Sequence, residues 1–168
     1  MERQIKFDNL ARFIEYPTLD RDWGVKTTPE EWNSKAAASH LSSYFAGFEG
    51  QTLDARQEMF VRTFDMNPNC ALEIGWHLFG EDYKRGEMLA YLRREMREVG
   101  IDEGTELPDY LGNVLRLLGR WNQEEAGEFV HIFFTPALEK MKKAVSGTET
   151  PYSHLFDAIE EVCVTEFI

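Results

Sequence analysis

The stretch Glu128-Phe129-Val130-His131-Ile132-Phe133-Phe134-Thr135 decides the fold. Phe129, Val130, Ile132, Phe133 and Phe134 suit a β-strand as well as a helix, because a short apolar run carries no period that separates the two. A strand needs a partner. Every other apolar segment of the chain repeats at helical spacing, so nothing is left to pair with it. The stretch therefore reads as helix and the chain as all-α. Pro136 has no backbone donor and should end or kink this helix.

Working outward, Gly147 closes the next turn. Thr150-Pro151 opens a last helix with Leu155, Phe156, Ile159, Val162 and Cys163 inward. On the other side, Asn122 and Glu125 offer a capping box. Pro108 is expected to open a helix on which Tyr110, Leu111, Val114, Leu115 and Leu118 share a face, after an acidic loop at 101–107. The helix over about 82–99 is amphipathic and stops at Gly100. The segment 70–79 is apolar on most sides (Ala71, Leu72, Ile74, Trp76, Leu78, Phe79) and is predicted to be a central, surrounded helix. Asn67-Pro68-Asn69 breaks the helix before it, which Thr52 caps and which carries Leu53, Phe60 and Phe64. Thr28-Pro29-Glu30-Glu31 is a strong start, with Glu31 closing a capping box, for one helix running through Trp32 and Tyr44 to Phe48. A polar loop through Asp20, Gly24 and Lys26 separates it from a first helix over about 2–16, ended by Pro17. The sum is a single-domain helical bundle of about eight helices spanning 1–168, with no internal repeat and no linker.

The 168 residues carry 18 basic and 30 acidic side chains, a net charge of −12. That balance excludes nucleic acid as partner, because phosphate binding needs a basic patch. It disfavours an acidic membrane surface for the same reason. The N-terminus MERQIKFDNL has no apolar core of a signal peptide, and no apolar run reaches the ~20 residues of a membrane span. Cys70 and Cys163 lie among apolar neighbours and read as buried free thiols. Together these features predict a soluble, cytoplasmic protein.

No motif of catalysis stands out. The four histidines form no HExxH. Glu128-x-x-His131 matches half of a helical di-iron pattern, but the second half is missing; a metal-dependent enzyme using Glu128 and His131 is the alternative to a protein that only binds a partner. Two stretches hold five acids each and no Lys or Arg, from Glu98 to Leu115 and from Ala144 to the end. Aromatic side chains number 22 of 168, and Trp76, Tyr83 and Tyr110 sit beside polar residues. The acidic stretches suit a negative groove for a cationic ligand, and amphipathic rings of this kind are favoured where an apolar peptide docks.

Several segments resemble one family. Phe13-Ile14-Glu15-Tyr16-Pro17 resembles an L-x-x-Y-P near the start of NarJ-type chaperones. Leu53-Asp54 with Phe64-Asp65 is similar to their L-D…F-D stretch, and Phe79 to Gly86 to the segment leading into an R-G-x-x-M/L helix. Glu106-Leu107-Pro108-Asp109-Tyr110-Leu111 resembles the signature E-L-P-D-H-L. Tyr152-x-x-Leu155-Phe156-Asp157 is similar to the closing Y-x-x-L-F-D. The matches run in order along nearly the whole chain and identify it as similar to the NarJ/TorD/DmsD group of redox-enzyme maturation chaperones. The resemblance implies an all-helical domain without catalysis or cofactor. It also implies a cytoplasmic role: binding the N-terminal leader, a twin-arginine signal or its remnant, of a molybdopterin-containing oxidoreductase until cofactor insertion. Carried across, the peptide-binding residues are Phe64, Asp65, Trp76, Pro108, Asp109 and Tyr110, with Tyr83 joining them as an aromatic beside polar residues. Asp109 is expected at the groove rim, pairing with an arginine of the leader. The chain departs from the pattern at Tyr110, where His is usual, and at Gly112, where Pro is common. It is expected mainly as a monomer, with a domain-swapped dimer as the other form open to it.

Overall fold

Side-chain caps set half of the α-helix starts. The computed structural model describes residues 1–18 and 25–168, so the loop expected through Asp20 and Gly24 lies outside the described residues. The helices are α1 (Arg3–Ile14), α2 (Pro29–Trp32), α3 (Lys35–Ala46), α4 (Leu53–Phe60), α5 (Ile74–Phe79), α6 (Tyr83–Glu98), α7 (Leu111–Arg120), α8 (Gln123–Phe129), α9 (Thr135–Ser146) and α10 (Tyr152–Phe167). Thr52 accepts from the Ala55 amide, and Asn122 from that of Glu125, as their cap positions require. No strand forms among the described residues; a lone antiparallel bridge joins Glu73 to Tyr110.

The deciding stretch is helical, in an unusual form. Val130–Phe134 is a π-turn joining α8 to α9, so one rod runs from Gln123 to Ser146. Pro136 does not end it. Proline cannot donate to the carbonyl one turn back, and the widened turn before it absorbs the missing bond. A second π-turn, Val61–Asp65, prolongs α4, with the Met66 amide donating to the Val61 carbonyl at 2.9 Å.

Three expectations are corrected. The helix from Thr28 to Phe48 is broken: Asn33 takes a left-handed conformation, φ 53°, and Ser34 caps α3 by accepting from Ala37. Asparagine tolerates that conformation and serine competes for amides, so local chemistry overrode the apolar period. The segment 70–79 is not one central helix. Pro68–Cys70 is a short 3₁₀ turn, α5 begins only at Ile74, and Trp76 is partly in solvent. Pro108 does not open a helix; it lies in a turn, and α7 starts at Leu111.

One apolar core runs from Phe7 to Cys163. α1 packs along α7, and α3 along α10. The first contact is close because Gly119 is bare: a Cβ there would stand 3.0 Å from Phe7 Cβ and 3.2 Å from Gln4 Cα. Arg120 seals it by gripping both oxygens of Asp8, at 2.6 and 3.1 Å. Tyr152 at the head of α10 centres an aromatic cluster, with ring centroids 4.8 Å from Phe64, 5.4 Å from Phe48 and 6.0 Å from Phe60. Both cysteines are buried thiols, and burial raises the pKa of each. No described helix is long and apolar enough to cross a membrane.

Candidate functional site

The aromatic cluster surfaces in one groove. Phe60 and Phe64 form its floor, their rings edge-on at 5.0 Å, with Tyr16 edge-on to Phe60 at 5.5 Å and Tyr110 closing the far wall. The π-turn sets the orientation of two neighbours. It buries Phe64, 4 % exposed and backed by Tyr152, and leaves Asp65 in solvent at the edge. Glu73 and Glu106 also line the groove. The groove holds about 540 Å³, and no Lys or Arg lines it. Among the described residues, no cation lies within ion-pair distance of Asp65, Glu73 or Glu106.

Two backbone hydrogen bonds fix the walls to each other. The Ile74 amide donates to the Asp109 carbonyl at 2.9 Å, and the Leu111 amide to the Leu72 carbonyl at 2.7 Å. The segment Glu106-Leu107-Pro108-Asp109-Tyr110 is thereby clamped against residues 72–74. Tyr110 Oη donates to the Ile14 carbonyl at 3.2 Å, which ties the same wall to the end of α1.

Asp109 does not stand at the rim. It is 0 % exposed and held by Arg85, Nε to Oδ2 at 3.0 Å and Nη2 to Oδ1 at 3.4 Å. Its stretch of sequence has no basic residue, but α6 supplies one from 24 positions away. Gly75 permits the burial: a Cβ at that position would stand 2.5 Å from Asp109 Oδ2. The Arg85 guanidinium also lies 5.9 Å from the ring centroid of Trp76. In the same way Arg93 and Arg97 reach Glu103, at 3.0 and 3.3 Å, so the acidic loop is partly neutralised from α6.

With Asp109 paired, the field in the groove comes from the other carboxylates. Burial raises the pKa of Glu73, and the carboxylates of Asp109 and Glu106 add to the rise, while its own amide and Arg85 oppose it. An acid held in this way gains from an incoming cation.

Of the residues expected at the site, the groove unites Phe64, Asp65 and Tyr110. Pro108 is buried behind the wall. Trp76 is 38 % exposed in a neighbouring hollow with Lys140 and Lys143, sharing only Pro68 with the groove. Tyr83 is 74 % exposed at the first turn of α6, outside the lining. Glu128 and His131 are exposed and belong to no cluster of three ligand groups among the described residues. Tyr16, Phe60, Glu73 and Glu106 line the groove without having been singled out for it. Tyr16 and Glu106 lie inside quoted motifs, so that signal was present. Glu73 had none, because an apolar helix reading ran across it.

Comparison with known proteins agrees with the motifs. The model of a family described as nitrate reductase delta subunit matches residues 30–158. The chain is 24 % identical, over 177 aligned positions, to the probable nitrate reductase molybdenum cofactor assembly chaperone NarJ of Bacillus subtilis (strain 168), covering 99 % of this chain and 95 % of that protein. The resemblance read from the sequence is thus borne out.

Proposed function

Because the chain belongs to the nitrate reductase delta subunit family, we propose that it is an assembly chaperone for a molybdenum-dependent oxidoreductase of the nitrate reductase kind, and that it works by holding the N-terminal leader of the catalytic subunit in the groove between Phe64 and Tyr110. It is an assembly factor and not an enzyme; the name of its Bacillus relative gives that protein as a probable assembly chaperone. It acts in the cytoplasm, as a monomer, before cofactor insertion is complete.

One observation carries this reading: three carboxylates, Asp65, Glu73 and Glu106, surround an aromatic floor with no basic residue among them. A leader, twin-arginine or a remnant of one, brings cations followed by apolar side chains. Its arginines would meet the carboxylates and its apolar part the exposed ring of Tyr16, which stands edge-on to the buried Phe60. Planar guanidinium groups suit paired acceptors, and rigid rings offer apolar area at little entropic cost. Burial of Phe64 against Tyr152 keeps the floor preformed, so little binding energy goes to ordering it.

Calorimetric titration with a synthetic arginine-bearing leader of the client enzyme tests the proposal. Wild type should bind with one site per chain and lose affinity as salt is added. Replacing Glu73 and Glu106 together by Gln should cost about 1–1.5 kcal/mol, roughly five- to tenfold, and flatten the salt dependence. Equal affinity and equal salt slopes in the two proteins would remove the leader from this groove.

A further inference from the structure

A second group of chemically active side chains lies where α3 crosses α10, and none of it lines the groove. His40 projects from the middle of α3. His154 and Asp157 stand one turn apart on α10, the i, i+3 spacing that brings side chains to one helix face. The two imidazoles stack with centroids 6.4 Å apart and planes at 27°. His40 Nδ1 is 3.9 Å from Asp157 Oδ2. One ligand atom from each of the three residues falls within 4.8 Å of the other two. The structure assigns to His40, His154 and Asp157 a site for a divalent transition-metal ion that staples α3 to α10.

Chemistry and geometry both support the assignment. Two imidazole nitrogens and one carboxylate oxygen suit zinc and its neighbours, and do not suit magnesium or calcium, which take oxygen ligands. A tetrahedral zinc with bonds of about 2.0–2.1 Å needs ligand atoms about 3.3 Å apart. His40 Nδ1 and Asp157 Oδ2 are 3.9 Å apart and no pair is separated by more than 4.8 Å, so the ligand atoms have to close in by about 0.6–1.5 Å. The carboxylate is already oriented as a metal ligand's should be. Lys142 holds Oδ1 of Asp157 at 2.9 Å, and Oδ2 faces His40. Lys142 is itself paired with Glu160, which offsets its charge beside an incoming cation. His40 and Asp157 are each 35 % exposed, so an ion can enter from solvent and one coordination position stays open to water. The net charge of −12 favours cation capture at long range.

The test is equilibrium dialysis of the full chain, free of added histidines, against zinc, with magnesium as the comparison ion. Wild type should take up one zinc per chain and no magnesium at the same concentration. Its thermal midpoint should rise by roughly 5–10 °C at zinc about a hundredfold above Kd. His40→Gln and His154→Gln, shown by circular dichroism to keep the wild-type fold, should each weaken uptake at least as much as loss of a second-sphere partner does, roughly 10–100-fold. Asp157→Asn serves if either histidine variant fails to fold. Zinc uptake unchanged in the folded variants would place the ion elsewhere and overturn the assignment. So would wild type that takes up no zinc, which would leave only the His40–Asp157 contact.

Discussion

Asp109 is fully buried, and Arg85 is its ion-pair partner. Replacing one partner of such a pair leaves the other unmatched. Asp109→Asn, which preserves shape, should lower the free energy of unfolding by about 2–4 kcal/mol, the partial exposure of Arg85 holding the loss below that of a fully buried pair. Urea denaturation measures it; an unchanged midpoint would mean that the pair contributes nothing net. Next along the chain, Tyr110 and Gly112 depart from the family pattern together, and the structure gives the reason. A Cβ at position 112 would lie 2.9 Å from Tyr110 Cε1. Gly112→Ala should therefore destabilise by about 1–2 kcal/mol, overpacking outweighing the gain in helix propensity. In a Tyr110→His background the smaller ring should remove most of that cost. A double-mutant cycle with additive losses would refute the coupling. Glu73 supplies a dependence on pH. Its pKa is raised by burial first, then by neighbouring carboxylates, so the folded chain binds this proton more tightly than the unfolded chain. The resulting penalty on stability is full above the raised value and fades as pH falls toward the ordinary 4.5. Glu73→Gln should be more stable than wild type at neutral pH, with the difference closing in acid. Leader affinity in wild type should fall over the same window, since protonation removes the charge that attracts the peptide. Urea midpoints and titrations at several pH values would show both trends.

Helices α1 and α7 meet over Gly119, and that contact sets their spacing. Gly119→Ala should push α1 outward at a cost of about 1–3 kcal/mol, visible as a lowered thermal midpoint with helix content retained. A neutral result would mean that α1 can slide. At this scale the sequence was a good guide wherever a cap or a long period acted alone. Thr52, Asn122 and Gly100 mark the boundaries that the structure uses. It misled where two signals competed. Trp32 and Tyr44 keep one apolar period, yet Asn33 and Ser34 divide it, because a left-handed residue and a cap are stronger locally than the phase of distant side chains. Pro136 looked like a stop because a π-turn leaves no mark in composition. The site was legible in part for the same reason. Phe64, Asp65 and Tyr110 come from short motifs and meet in the groove. The pairing of Asp109 with Arg85 depends on how α6 crosses the clamped wall, and no local pattern encodes a crossing. His40 and His154 lie 114 positions apart and meet only through the packing of α3 on α10.

Across the whole molecule, the excess of acid is unevenly matched. Arginines of α6 and α7 answer Asp109, Glu103, Asp8 and Glu15, whereas the carboxylates of the groove have no such answer among the described residues. The wall bearing the groove is held by the paired hydrogen bonds of Ile74 and Leu111 across the lone bridge. These two amide protons can exchange with deuterium only when that bridge parts. They should therefore show a common protection factor once each rate is divided by its intrinsic value, higher than those of the amides in the loop 102–107, and the factor should rise for both when a leader occupies the groove. Two unequal protection factors would mean that each bond opens on its own. The bridge thus makes the two amides a built-in clock for how often the groove comes apart, readable residue by residue without a mutation.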